Sequence, residues 1–173
     1  MGDLSERSFN WPVAMRLRWG FVATSSCLLL LACQRTTLRS DAELTALFAA
    51  KKPEYVRLMD MFQADGLTAI SEYGHEPKNV SLPSLRREDY KRLLDETEVR
   101  PSVFRTVGDE GVVFFCVDSF GSVSGGDSKG IAYSERPIEQ TFENLDRFPE
   151  GSRGRNAFRH IEGGWYLFYR HDK

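Results

Sequence analysis

The fold is decided by residues 157–169, which read Ala157-Phe158-Arg159-His160-Ile161-Glu162-Gly163-Gly164-Trp165-Tyr166-Leu167-Phe168-Tyr169. Two runs rich in apolar and aromatic residues flank a Glu-Gly-Gly turn, and this pattern predicts a β-hairpin. Side chains alternate between the two faces of a strand, so both faces of the second run are aromatic. One face carries Trp165, Leu167 and Tyr169, and the other carries Tyr166, Phe168 and Arg170. We therefore expect this strand to lie inside a sheet or beneath a helix.

Further strands are predicted upstream of this hairpin. Val103 to Val107 and Val112 to Val117 are rich in β-branched and aromatic residues and flank a Gly-Asp-Glu-Gly turn, which indicates a second hairpin. Gly130 to Ser134 also has the composition of a strand. Ser119 to Ser128 is typical of a Gly/Ser loop, and Glu135 to Arg155 is expected to be a long irregular segment.

Helical periodicity dominates earlier in the chain. Ser40 and Glu43 have the spacing of a capping box, and Pro53 suits the first turn of a new helical segment after a break at Lys51-Lys52. Ser84 to about Glu96 is predicted to form another helix with an apolar stripe. That stripe comprises Leu85, Tyr90, Leu93 and Leu94.

The segment between these helices is predicted to contain a short strand followed by a loop. Gly66 is expected to end the first helical region, Leu67 to Tyr73 to form a short strand, and Gly74 to Pro83 to form a loop. Together these patterns predict an α+β domain. In it, N-terminal helices pack on an antiparallel sheet of four or five strands.

A different pattern occupies the start of the chain. A cationic Met15-Arg16-Leu17-Arg18 precedes a mostly apolar run from Gly20 to Ala32, which is typical of an export signal. Leu30-Leu31-Ala32-Cys33 resembles the lipobox of bacterial lipoproteins. That resemblance implies cleavage between Ala32 and Cys33, a diacylglyceryl group on the Cys33 thiol, and acylation of the freed amine, with palmitate as the expected acyl group.

Two other interpretations of the apolar run remain open at this point. It could be a membrane-spanning helix or a buried core helix, but it is shorter than the roughly 20 apolar residues that a span requires. The lipoprotein interpretation divides the chain into a signal peptide at 1–32, with translation expected to start at Met15, a lipidated tether at 33–40 and one globular domain at 41–173. By analogy with enteric bacteria, Gln34 after the cysteine favours the outer membrane.

Composition limits the classes of function. The whole chain has a formal net charge of −2. Removal of residues 1–32 leaves 141 residues with 20 basic and 23 acidic side chains. Such a balance gives no electrostatic basis for nucleic-acid binding. The folded part keeps one cysteine, Cys116, so neither a disulfide framework nor a multi-cysteine metal site is expected.

Catalytic and metal motifs are not apparent in the sequence. Residues 121–129 are rich in glycine but lead into a strand, whereas a P-loop leads into a helix. His75, His160 and His171 lack metal-ligand spacing, so no metal site and no cofactor are predicted. Cys116 and His160 could form a thiol–imidazole pair if their strands were neighbours. However, Cys116 is in step with Val112 and Phe114, which favours a core thiol.

Partners are predicted on weaker patterns. Four arginines late in the chain could contact an anionic partner such as lipid head groups or an acidic protein. They are Arg153, Arg155, Arg159 and Arg170. In addition, residues 129–134 and 159–169 resemble the C-terminal half of a group of small Gram-negative lipoproteins, which implies a shared fold and no activity.

These observations lead to two hypotheses. The first is a non-catalytic, lipid-anchored envelope protein that faces the periplasm and binds or stabilises another envelope macromolecule. An immunity or inhibitor protein that neutralises a toxin is a specific form of it. The alternative is a small periplasmic hydrolase or ligand-binding enzyme that uses His160, Cys116 or the acidic residues.

Overall fold

A computed structural model describes residues 38–105, 111–122, 125–147 and 156–172. The predicted signal peptide, its cleavage site at Ala32 and Cys33, and most of the tether lie outside the described residues. Arg153 and Arg155 also lie outside them. The described residues belong to one unit, Thr37–Lys173.

Two helices and seven strands make up this part of the chain. In chain order they are α1 (Asp41–Ala64), β1 (Ala69–Ser71), β2 (Gly74–Glu76), α2 (Ser84–Glu96), β3 (Ser102–Arg105), β4 (Val112–Ser122), β5 (Gly125–Ser134), β6 (Asn156–Glu162) and β7 (Trp165–Asp172). The strands form a single antiparallel sheet in the order β2-β1-β3-β4-β5-β7-β6. The α+β class predicted from the sequence is therefore confirmed.

Two finer expectations about the sheet were wrong. The described residues form seven strands rather than four or five, and the helices do not all precede them, since α2 lies between β2 and β3. The miscount has a physical cause. Strand β2 has only three residues, too few for an alternating pattern to be recognised, and it lies where the sequence predicted a loop.

The expected Gly/Ser loop is instead the end of a long hairpin. Strands β4 and β5 pair from Val112↔Ser134 to Ser122↔Gly125, with a register shift between Cys116 and Asp118. The ladder is built from backbone groups, so glycine and serine can take part in it although they are poor strand formers. Strand β4 continues to Ser122 and strand β5 begins at Gly125.

The first helix follows the sequence pattern closely. The Ser40 hydroxyl accepts a hydrogen bond from the Glu43 backbone N–H while the Glu43 carboxylate accepts one from the Ser40 N–H, which completes the predicted capping box. Lys51 leaves helical geometry at φ −121° and ψ 18°, two residues before Pro53. The helix ends at Ala64, and Gly66 adopts φ 63°, a conformation that glycine adopts at little cost.

The second helix has the predicted bounds, Ser84–Glu96, but not the whole predicted stripe. Tyr90, Leu93 and Leu94 are buried, whereas Leu85 is 74% exposed in the first turn. Helical spacing alone does not show which positions of a helix a neighbouring element covers, and Leu85 lies on the uncovered side.

The main core lies between the helices and one face of the sheet. Tyr55 of α1 is fully buried, and its hydroxyl donates a hydrogen bond to the Thr97 carbonyl at 2.8 Å. Trp165 of β7 packs against Phe48 of α1 with ring centroids 5.1 Å apart, and against Phe115 of β4 at 5.7 Å. These contacts place the strand Trp165–Asp172 inside the sheet, between β5 and β6, as its two aromatic faces predicted.

The opposite face of the sheet has a second apolar cluster. It comprises Val112, Phe114, Cys116, Ala132, Phe158, Tyr166 and Phe168, with Phe104 and Ile138 packed against it. The Tyr166 hydroxyl accepts a hydrogen bond from the Ile138 N–H at 3.2 Å, which ties the irregular segment 135–147 to this face.

Candidate functional site

The thiol–imidazole pair of the enzyme hypothesis does not form. Cys116 is only 2% exposed, and its thiol donates a hydrogen bond to the Asp118 carbonyl at 3.5 Å. Strands β5 and β7 lie between the strand of Cys116 and that of His160. His160 is exposed, and its Nε2 is 3.0 Å from the Gly163 carbonyl oxygen. Burial raises the pKa of the Cys116 thiol to about 12, so it is a core thiol as predicted.

The other two histidines also have local partners. His75 lies on β2 rather than in the expected loop, and its Nε2 is 2.9 Å from the Val80 carbonyl oxygen. Nδ1 of His171 is 2.7 Å from a carboxylate oxygen of Asp127. Within the described ranges, no three His, Cys, Asp or Glu side chains are grouped so that they could hold a metal ion.

A salt-bridged pair of side chains, Lys129 and Asp41, is buried where α1 begins. Nζ of Lys129 lies 2.7 Å from Oδ1 of Asp41 and also contacts Asp146. Lys129 and Asp41 are almost completely buried. Oδ1 of Asp41 accepts no well-directed hydrogen bond, so this contact is mainly electrostatic. Partial burial raises the pKa of Asp146, but the hydrogen bond and charge of Lys129 and the hydrogen bonds from Asp41 together outweigh burial and lower it.

This cluster joins distant parts of the chain. The backbone N–H of Leu145 donates to Oδ2 of Asp41 at 2.8 Å, and the N–H of Asp41 donates to Asp146 at 2.9 Å. Nη1 of Arg159 lies 3.4 Å from Asp41, so two cations and two carboxylates are balanced. The cluster attaches the irregular segment 135–147 to the start of α1, and its role is structural.

The structure does not bring Arg159 and Arg170 together. Arg159 faces the helices, where it meets Asp41, whereas the Arg170 guanidinium lies 5.9 Å from the centroid of the Phe104 ring on the opposite face. Of the four arginines expected to contact an anionic partner, these are the two that lie within the described residues.

A second polar cluster lies at the end of the β4–β5 hairpin. Oδ1 of Asp127 accepts a hydrogen bond from the Tyr169 hydroxyl at 2.5 Å and is 2.7 Å from His171. Burial opposes the ionisation of Asp127, but these two contacts outweigh it and lower the pKa of Asp127. Burial and the hydrogen bond to Asp127 raise the pKa of Tyr169 to about 12. The contacts fasten β5 to β7.

A surface pocket of about 490 Å³ lies between the β1–β2 hairpin and α2. The buried side chains of Ile70, Leu82 and Tyr90 line its base, and Tyr73 at its edge is 87% exposed. The wall is held in place by Asp65, which accepts hydrogen bonds from Nε of Arg86 at 2.8 Å and from the Tyr90 hydroxyl at 2.7 Å. These bonds attach α2 to the end of α1.

The charges around this pocket are only partly neutralised. Lys78 pairs with Glu76 at 3.2 Å, and the hydrogen bond from the Tyr73 hydroxyl to Glu72 raises the pKa of Tyr73. Arg87 and Lys91 lie one helical turn apart on α2 and have no ion-pair partner among the described residues. Like charges at this spacing destabilise a helix by about 0.2–0.5 kcal/mol. Among the lining side chains, the three cations Lys78, Arg87 and Lys91 outnumber the two carboxylates Glu72 and Glu88, so the pocket combines an apolar base, an exposed aromatic ring and an excess of one positive charge.

Sequence reasoning did not identify the pocket. The side chains that form it come from one short stretch of the chain, residues 70–91, which spans the β1–β2 hairpin and the first two turns of α2 and carries no motif. The sequence feature that pointed to it was the pair of cations Arg87 and Lys91, four positions apart on the predicted helix.

Comparison with known proteins adds no assignment. No protein-family model, curated protein or solved structure matches the chain. In the part of the chain that the structure describes, neither helix is long and apolar enough to cross a bilayer.

Proposed function

We propose that this protein is a lipoprotein, anchored through Cys33 in the outer membrane and facing the periplasm, whose folded domain binds another envelope macromolecule. The lipobox-like Leu30-Leu31-Ala32-Cys33 supports the anchor. Two or more acyl chains would hold the domain durably on a membrane without a spanning helix. An immunity or inhibitor protein is a specific form of this function.

The binding half of the proposal depends chiefly on one observation. Arg87 and Lys91 form a like-charge pair with no carboxylate partner beside the exposed ring of Tyr73. A side chain that lies exposed at a pocket edge contributes little to folding but offers aromatic area to a partner at low entropic cost. The pocket is therefore suited to an acidic segment that also carries apolar side chains.

The anchor is tested by Cys33→Ser. A hydroxyl cannot replace the thiol that receives the lipid, so the variant is expected to keep its leader and to be absent from the mature lipidated fraction. Intact mass of protein extracted from membranes is the measurement, and the unsubstituted chain should show a lipid adduct on the peptide that begins at Cys33. Tyr73→Phe serves as a control and should be lipidated normally. Membrane retention of the Cys33→Ser chain with normal cleavage would contradict the anchor.

The pocket is tested by photo-crosslinking in the native host. A benzophenone amino acid in place of Tyr73 is expected to give one adduct of higher mass, which mass spectrometry can identify. The same substitution at Leu85, which is exposed on α2 but does not line the pocket, is the control. We expect Arg87→Glu with Lys91→Glu to reduce the adduct at least about fivefold, since each lost charge contact with an anion contributes about 1 kcal/mol or more.

Two matched changes show whether that loss is specific. Arg136→Glu with Arg147→Glu alters the same net charge at exposed positions outside the pocket and should leave the adduct unchanged. If Tyr73 gives no adduct, or if the pocket variant crosslinks as well as this control, the pocket is not the binding site.

A further inference from the structure

We infer that the end of the sheet where the chain enters the domain docks on the membrane surface, with Phe120 at the boundary between lipid head groups and acyl chains. The inference rests on the proposed lipidation of Cys33. It adds an orientation of the domain on the bilayer and a second contact with lipid.

The point of entry is fixed by Arg39. Its backbone N–H donates to Oδ2 of Asp118 at 2.7 Å, and its guanidinium lies 2.9 Å from Glu98 and 3.4 Å from Asp118. Six residue steps separate Cys33 from Arg39, and they span about 20 Å at full extension. A lipid on Cys33 would therefore keep this end of the sheet close to the bilayer, whatever path those residues take.

Phe120 lies at the same end of the sheet. It follows Asp118 by two residues on β4, a distance of about 7 Å along the strand, and it is 55% exposed. Its strand extends beyond β3, which pairs with β4 only as far as Phe115. The hairpin remains paired to Ser122↔Gly125, so Phe120 is presented on a regular ladder.

The neighbours of Phe120 suit contact with lipid. Along β4 and β5, the chain next to Phe120 has few charged positions, and on the neighbouring β7 Asp172 is opposite Gly126 in the ladder. The first charged side chain along β5 is Asp127, which is opposite Phe120 in the ladder and already holds Tyr169 and His171. Since burial of an unpaired charge is the main cost of approaching a bilayer, we expect contact through Phe120 with the charged side chains of this end staying at the level of the head groups.

The experiment uses the mature lipoprotein reconstituted into phosphatidylcholine vesicles, with Phe120→Trp as the reporter. Trp11 and Trp19 lie in the predicted leader, so Trp165, buried in the core, is the remaining tryptophan of the mature chain. Acyl chains brominated near the glycerol end quench tryptophan that lies within the outer 5–10 Å of the bilayer. We expect the Phe120→Trp signal to fall by about half in such vesicles.

Leu85→Trp is the matched control. Leu85 is also exposed, but it lies at the far end of α2 from Glu98, about 18 Å along the helix. It should be quenched no more than Trp165 in the unsubstituted protein. Phe120→Trp protein that floats with the vesicles but is not quenched would contradict the docking of Phe120 on the bilayer and leave the lipid anchor unaffected. The end of the sheet that carries Phe120 would then face water, another protein or a second copy of the chain.

If the lipid anchor itself is wrong, flotation and peptide mass would give a different result from the one above. Protein that does not float with vesicles and whose Cys33 peptide has unmodified mass overturns both proposals.

Discussion

Replacing Lys129 with methionine is expected to lower the free energy of unfolding by about 3–5 kcal/mol. Methionine has nearly the same length, so the main change is loss of the charge that lies 2.7 Å from the buried Asp41. Removing one partner of a buried ion pair leaves the other charge in a medium that solvates it poorly. The segment 135–147 would also lose the cation that holds Asp146. Urea unfolding followed through Trp165 fluorescence measures the effect.

Two further variants separate charge from packing. Lys52→Met removes an ion pair with Glu162 in which both side chains are about half exposed, and it should cost less than about 1 kcal/mol. Lys129→Met combined with Asp41→Asn should recover part of the stability lost in the single variant, because the uncompensated carboxylate is gone. Equal costs for Lys129→Met and Lys52→Met would show that the buried cluster does not stabilise the fold.

Gly130→Ala is expected to destabilise the protein by more than about 3 kcal/mol or to prevent folding. A Cβ at this position would lie 2.2 Å from the Phe115 carbonyl oxygen and 2.9 Å from the Val117 nitrogen. Both atoms belong to the backbone of β4, so relief of the overlap requires the two central strands to separate beside the register shift at Cys116. No side-chain rotation can provide the space. Yield in the folded fraction and the urea midpoint are the measurements.

The control for this prediction is Ser128→Ala, two residues away on the same strand. Its side chain is half-buried and has no hydrogen bond among the described residues, so the change should be nearly neutral. A Gly130→Ala protein with the midpoint of the control would mean that β4 and β5 are further apart at this point than described.

Much of the fold was predictable because several elements carry independent local signals. The capping box at Ser40 and the Lys51–Pro53 break located α1 and its kink, and alternation located β6 and β7. Strand β2 and the ends of β4 and β5 were missed because their pairing depends on backbone hydrogen bonds with partners elsewhere in the sheet. Composition does not report such partners.

The candidate site was much harder to predict from the sequence than the fold was. Lys129 gave one signal that was not used: it alternates with Ile131 and Tyr133, so a charge on the inner face of a strand was evident and required a buried counter-ion. Nothing local identified Asp41 as that counter-ion, because 88 positions separate the two in the chain. The pocket posed a different difficulty: its lining lies within residues 70–91, but the packing of the short hairpin β1–β2 on α2 that shapes it has no pattern in the sequence.

The two outermost strands of the sheet determine how these domains would behave if the proposed lipid anchor concentrated them on a membrane. Molecules held on one leaflet by acyl chains share an orientation, and such alignment favours pairing between sheets that have long, regular borders. Here one border is the three-residue β2, and the other, β6, carries Arg159 and Glu162 and has an irregular register near its end. Neither border offers a straight, uncharged template, so a dense population of these domains would resist growing into continuous β-assemblies.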